Sequence, residues 1–244
     1  MTHELVMVEE GDDKRVDGRT PNQMRPLSCS RNVLHRAHGS ARWSQGETSV
    51  LASVYGPKSG TRKGENPEKA SIEVIWKPRT GQIGKTEKEY EMILKGTLQN
   101  IIILTENPNT TTSVTLQVMS DDGSLLSCGI NAACAALLDA GVQLKQLAIA
   151  ICCGLTNDGT VLLDPSKIEE TKVRAFACFA ITNSPLSALS EVTPGSDKGK
   201  SLENGIVTSI TYGSMQESDF FHCLERGRAA TSRISEFLRK NLKS

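Results

Sequence analysis

Residues 116–141, LQVMSDDGSLLSCGINAACAALLDAG, limit what this chain can fold into more than any other stretch. The alternating run Ser113–Met119 predicts a strand with one buried face. Asp121, Asp122 and Gly123 predict a turn after it. Leu125–Asp139 then reads as a helix that is apolar nearly all round, hence buried, with Gly141 suited to its C-terminal end. Eight of the ten residues from Ser127 to Ala136 are Ala, Gly, Ser or Cys. So little side-chain bulk lets the helix lie close against a sheet. A strand, a glycine turn and a helix N-terminus also make a natural anion site, because the first N–H groups of a helix lack intrahelical partners.

The rest of the chain predicts an α/β protein. Further strand-like runs fall at Thr48–Tyr55, Ile72–Trp76, Leu147–Cys153, Thr160–Leu163, Val173–Ile181 and Gly205–Tyr212, rich in Val, Ile and Thr. Helical periodicity is clear at Thr86–Leu104 and Ser218–Leu242 as well as at Leu125–Asp139. The order of elements suggests mixed sheets with closely packed helices. Residues 1–13 read as an acidic tail before a domain spanning 14–244, and Gly56–Ala70 and Thr193–Asn204 read as polar loops.

Composition excludes some functions. At 244 residues the chain can bury a full core, as one large domain or two fused halves. Lys plus Arg equals Asp plus Glu at 28 each, so nucleic-acid binding needs a local basic surface. Aromatic content of 4% argues against base-stacking platforms. Seven cysteines without a C-x-x-C pair read as reduced core thiols, Cys128, Cys134, Cys152, Cys153 and Cys178 among them, and point to a cytosolic or nuclear protein. The N-terminus lacks the apolar segment of a signal peptide, and no apolar run reaches membrane-spanning length, so no membrane partner is expected.

Two constellations carry possible chemistry. The first is carboxylate-rich, Asn157–Glu170. Asp158 sits in an Asn-Asp-Gly hairpin signal, a structural reading that competes with a chemical one. Asp164 precedes Pro165, which favours an extended backbone there. Glu169 and Glu170 are expected to begin the next strand. Across the intervening turn, Asp164 and Glu170 can converge to protonate a leaving group or hold Mg²⁺. Solvated turn carboxylates are the plainer alternative. The second is basic: Lys77, Arg79 and Lys85 in a stretch without acids, followed by Lys88 and Lys95. Such a loop suits phosphate contacts along RNA, or an ordinary solvated surface. The cationic C-terminal helix reads mainly as an apolar stripe packed on the domain.

Four segments together resemble the RNase PH family: Arg15-Val16-Asp17-Gly18-Arg19, the run Gly46–Pro57, the turn and small-residue helix Asp122–Gly141, and the acidic element Asp164–Glu170. The resemblance covers about residues 14–240. It implies an RNase PH-like fold of two βαβ-type halves in a single domain. It also implies RNA as a partner, with a ring of other RNase PH-like exosome subunits topped by cap subunits. That assembly acts in 3′→5′ RNA processing and degradation, in nucleus, nucleolus and cytoplasm. Active members follow the glycine turn with Thr or Ser and then Arg to hold phosphate. Here Ser124 is kept, but Leu125 and Leu126 stand where the Arg aligns, so Ser124 is a degenerate phosphate ligand. The expectation is a subunit that chiefly scaffolds and guides RNA. The alternative is a nuclease in its own right, weakly phosphorolytic with inorganic phosphate or hydrolytic with Mg²⁺, acting as a homo-oligomer. Asp164, Glu170 and Asp158 are its candidate catalytic residues, the first two its metal ligands. Lys77, Arg79, Lys85, Lys88 and Lys95 are the candidate RNA contacts.

Overall fold

In the computed structural model the described residues are 15, 17–59, 68–182 and 205–243. The expected tail, most of the first polar loop and the whole of the second lie outside them. Within them the chain forms β1 (Leu27–Arg31), β2 (Gly39–Gln45), β3 (Thr48–Ser59), β4 (Ser71–Lys77), α1 (Lys85–Ile101), β5 (Thr110–Ser120), α2 (Leu125–Asp139), β6 (Ala148–Leu155), β7 (Val161–Leu163), α3 (Lys167–Glu170), β8 (Ala175–Thr182), β9 (Ile206–Gly213) and α4 (Glu217–Lys243).

The strands form two sheets, ordered β1-β2-β3-β5-β4 and β7-β6-β8-β9. In the first, β4 and β5 are parallel, joined by α1 as crossover, and the other pairs are antiparallel. The second sheet is antiparallel throughout. The mixed α/β class therefore holds in a single domain, with adjacent parallel strands only in the βαβ unit of the first half. In the second half β6 and β7 are joined by a tight turn closed by Thr156 and Thr160, and β7 connects through the short α3 to β8, which runs parallel to it on the other side of β6.

Helix α2 lies between the sheets, against β2 and β3 on one side and β6 on the other. Every residue from Leu126 to Leu137 is buried. The small side chains are what permit this. A Cβ on Gly129 would stand 2.2 Å from the Trp76 ring, so glycine is required where α2 meets β4. Asn131 adds polar complementarity: its amide donates to Ala150 O at 2.9 Å and its carbonyl accepts from Ala150 N at 2.8 Å. It thereby satisfies a β6 backbone site deep in the core. Helix α4 covers the other face of β6 with Cys223, Ala230, Ile234 and Leu238 buried, the packing role expected of it. All seven cysteines are free thiols, and six are buried. No described helix is long and apolar enough to cross a membrane.

Three local expectations are corrected. Strands β1 and β2 were not anticipated. Glu169 and Glu170 do not start a strand but end α3, a one-turn helix capped by Ser166, whose N–H donates to Glu169 Oε2 at 2.8 Å. Asp164 is not extended before Pro165; its φ of 52° is left-handed.

Candidate functional site

The site is built where β5 ends, α2 begins and the β7–α3 connection crosses beneath them. Thr48, at the start of β3, pins the glycine turn: its hydroxyl donates to Gly123 O at 2.7 Å and accepts from Asp122 N at 3.0 Å. A Cβ on Gly123 would fall 2.6 Å from Lys167 N, so the turn rests directly on α3. Ser124, the N-cap of α2, is fully buried and donates its hydroxyl to Pro165 O at 3.0 Å. The residue expected to touch phosphate thus spends its side chain holding two turns together. Its backbone N–H donates to Glu170 Oε1 at 2.6 Å. Negative charge at this helix N-terminus, favourable by the helix dipole, comes from the protein itself.

Beneath the turn runs a buried ionic network that the sequence reading did not assemble. Asp164 is fully buried. Its Oδ2 accepts from Arg25 N and Nε, each at 2.9 Å, and its Oδ1 from Arg25 Nη2 at 2.6 Å. Arg25 also donates to Asp122 O at 2.6 Å. Arg15 grips both carboxylate oxygens of Glu169 and donates to Leu163 O at 2.7 Å. Arg19 binds Asp17 at 2.5 Å and Asp164 O at 3.2 Å. Burial acts to lower the Arg25 pKa, but the Asp164 carboxylate outweighs it and raises it. Burial likewise pushes the Glu169 carboxyl up, and the Arg15 hydrogen bonds override it and hold the group below its usual range. This reassigns one candidate. Asp164 is a structural counter-ion, both oxygens engaged by Arg25, and does not join Glu170 as an open metal pair. Among the described residues no group of three or more His, Cys, Asp or Glu side chains is arranged to hold a metal. Asp158 lies exposed in the β6–β7 turn, at the opposite end of β7 from Asp164, so it takes no part in this site.

Glu170 alone of the three faces usable space. With Tyr90, Leu125, Leu126, Lys167, Phe176 and Tyr212 it lines a pocket of about 200 Å³. Burial raises its pKa, against the Ser124 N–H and Lys167, which favour the charged form. Lys167 lies 3.6 Å from Glu170 Oε2 and 2.9 Å from Asp121 Oδ2. Tyr90 is set edge-on to Trp76 at 5.1 Å, and Tyr212 donates its hydroxyl to Glu89 at 2.7 Å. Tyr90, Phe176 and Tyr212 escaped the sequence reading, because low aromatic content says nothing about where the few aromatics gather.

All five candidate RNA-contact residues are exposed. Lys77 ends β4, Arg79 follows in the loop, and Lys85, Lys88 and Lys95 lie on α1. Spacings of three and seven put the three lysines on one helix stripe. The interspersed glutamates each accept a hydrogen bond: Glu87 from Gly84 N, Glu89 from Tyr212, and Glu91 from Trp76 N. The segment thus presents five exposed cations, with Glu89 exposed among them.

Comparison with known proteins follows this geometry. The family described as RNase_PH, 3′ exoribonuclease family, domain 1, matches residues 23–143. A protein of Arabidopsis thaliana named exosome complex exonuclease RRP46 homolog is 63% identical over 227 residues, 93% of this chain and 95% of the relative. Its namesake in Oryza sativa subsp. japonica is 62% identical over 231 residues, 95% of this chain and 96% of the relative. The crystal structure of rice Rrp46 matches with a TM-score of 0.84 and 60% identity, covering 94% of this chain and 100% of that one. An Archaeoglobus fulgidus exosome with RNA bound to the active site has the same fold, with a TM-score of 0.76 at 18% identity over 92% of each chain.

Proposed function

The chain belongs to the RNase PH family of 3′ exoribonucleases, and from that premise we propose that it is a ring subunit of an RNA exosome. In this reading it serves 3′→5′ RNA processing and degradation, mainly as scaffold and RNA guide. The observation that carries the reading is 63% and 62% identity, across nearly the whole chain, to proteins named as exosome components. The lysine stripe on α1 supports the guiding role, since cations on one face hold a phosphate backbone without reading its bases. Its partners are then RNA, other RNase PH-like subunits and cap subunits, with self-pairing when the chain is isolated, and its places of work are the nucleus, nucleolus and cytoplasm. Mixing the purified chain with the other RNase PH-like exosome subunits tests the assembly directly. Co-elution at the mass of a closed ring is expected; a ring that forms from the others and leaves this chain behind contradicts it.

A second reading, a nuclease in its own right, is favoured by one observation. Glu170 is a carboxyl with a raised pKa at the wall of a pocket, the profile of a general acid. An RNA degradation assay with phosphate, with Mg²⁺, with both and with neither separates the chemistries. Under this reading, scission by the isolated chain is lost in Glu170→Gln and kept in Asp158→Asn. Scission that survives Glu170→Gln removes the assignment.

A further inference from the structure

The pocket at the head of α2 differs from an anion site in its walls and in its charges. Two of the chain's three tyrosines line it, together with Phe176 and the side chains of Leu125 and Leu126. Tyr90 packs edge-on against Trp76, and the hydroxyl of the half-exposed Tyr212 donates to Glu89. Among the described residues the one cation of the lining, Lys167, is already shared between Asp121 and Glu170. The Ser124 N–H is taken by Glu170 Oε1. A second anion entering here would meet a carboxylate without an uncommitted cation. A neutral, flat ring carrying N–H donors would meet aromatic and leucine walls, with remaining lone pairs of a carboxylate as acceptors.

We propose that this pocket binds the base of a single-stranded nucleotide, with Tyr212, Tyr90 and Phe176 as the apolar walls and Glu170 accepting from an amino group of the base. The proposal rests on the RNA-guiding reading above and adds a base-reading element to it. Unstacked bases of single strands are recognised by aromatic stacking and by hydrogen bonds to their Watson–Crick edges. A carboxylate pairs with the exocyclic amino group of cytosine, and the same chemistry serves adenine and guanine. Uracil presents carbonyl oxygens on both sides of its single N–H, and these repel Glu170. The site therefore ranks amino-bearing bases above uracil. The same helix that supplies Tyr90 carries the exposed Lys85, Lys88 and Lys95, so a base in the pocket and a backbone along α1 belong to one strand.

The test uses the full chain and phosphate-free probes: cytidine, adenosine and uridine, followed through the methyl resonances of Leu125 and Leu126. Cytidine and adenosine are expected to shift those signals and to bind at least roughly fivefold tighter than uridine, and a tenfold excess of inorganic phosphate should not displace them. Tyr212→Ala, at an exposed position, should weaken the binding by about fivefold or more, the scale of one lost stacking contact. Glu170→Gln should bring uridine level with cytidine. Leu125→Arg, which places a cation in the pocket, should abolish nucleoside binding and is read independently of the tyrosine variant. Equal binding of all three nucleosides, or displacement by phosphate, or shifts that survive both Tyr212→Ala and Leu125→Arg, would overturn the proposal. Absent nucleoside binding alongside salt-sensitive binding of an RNA oligomer overturns this inference and spares the RNA-guiding reading; the reverse pattern overturns that reading alone.

Discussion

At the scale of single residues, the acidic element of this chain divides into carboxylates that hold the fold and one that lines a pocket. Asp164 and Glu169 belong to the first kind. Removing one partner of a buried ion pair leaves an uncompensated charge, so Arg25→Met should cost about 3–5 kcal/mol in urea unfolding. A loss under about 1 kcal/mol would mean that Asp164 finds another partner. Glu169 gives a signature in acid. Its folded pKa is depressed, so its stabilisation is present above the ordinary glutamate value of about 4.3 and is lost as pH falls through the folded value. Glu169→Gln should therefore be less stable than the parent at pH 7, with the gap narrowing steadily below about pH 4. A gap that stays constant down to pH 3 would remove the charge from the explanation. The sequence shows these carboxylates but not their partners: Arg25 is 139 residues from Asp164, and Arg15 is 154 from Glu169. Asp164 lies directly after the fully apolar strand β7, which does signal burial and so a cation somewhere. Which arginine answers that need is a tertiary fact. Ser124 misled for the opposite reason, since a polar side chain kept at a family position reads as a ligand even when its hydroxyl is spent on Pro165.

Among the elements, α2 was legible to the residue because small side chains and helical period agree over its whole length. Its bounds, Leu125–Asp139, are those the periodicity predicts. The two glycines of α2 and α1 offer a matched test of why. A Cβ on Gly129 collides with Trp76, which is itself fully buried and cannot yield, so Gly129→Ala should cost about 1–3 kcal/mol through overpacking. Nothing lies within 4 Å of a Cβ on Gly96, so Gly96→Ala in α1 should stabilise by about 0.4–1 kcal/mol. Thermal unfolding of both variants checks the pair, and a destabilised Gly96→Ala or a neutral Gly129→Ala would contradict the packing described. Strands β1 and β2 escaped notice because Ser and Arg interrupt their apolar alternation. The register partners Trp43 and Val50 show that half of β2 is core all the same. The stretch around α3 was misread because its two glutamates were placed in a strand, whereas the Ser166–Glu169 capping box starts a helix there.

For the molecule as a whole, the property to test is a run of five exposed cations on a chain of zero net charge. Sequence order showed the cations of 77–95 but could not show that Glu87, Glu89 and Glu91 accept hydrogen bonds from Gly84, Tyr212 and Trp76. Helix α4 carries its own cations around a buried stripe that packs on β6. The measurement that tests this account most directly is the affinity of the chain for a single-stranded RNA oligomer as a function of salt. It compares the parent with Lys77→Glu/Arg79→Glu/Lys85→Glu and with Arg228→Glu/Arg233→Glu. Each phosphate contact contributes about 0.7 to the salt slope for a single strand, so the triple variant should bind far more weakly with a slope shallower by roughly two. The α4 variant should bind like the parent. Parental affinity and slope in the triple variant, with binding lost on reversal at Arg228 and Arg233, would place the RNA on α4 and contradict the account.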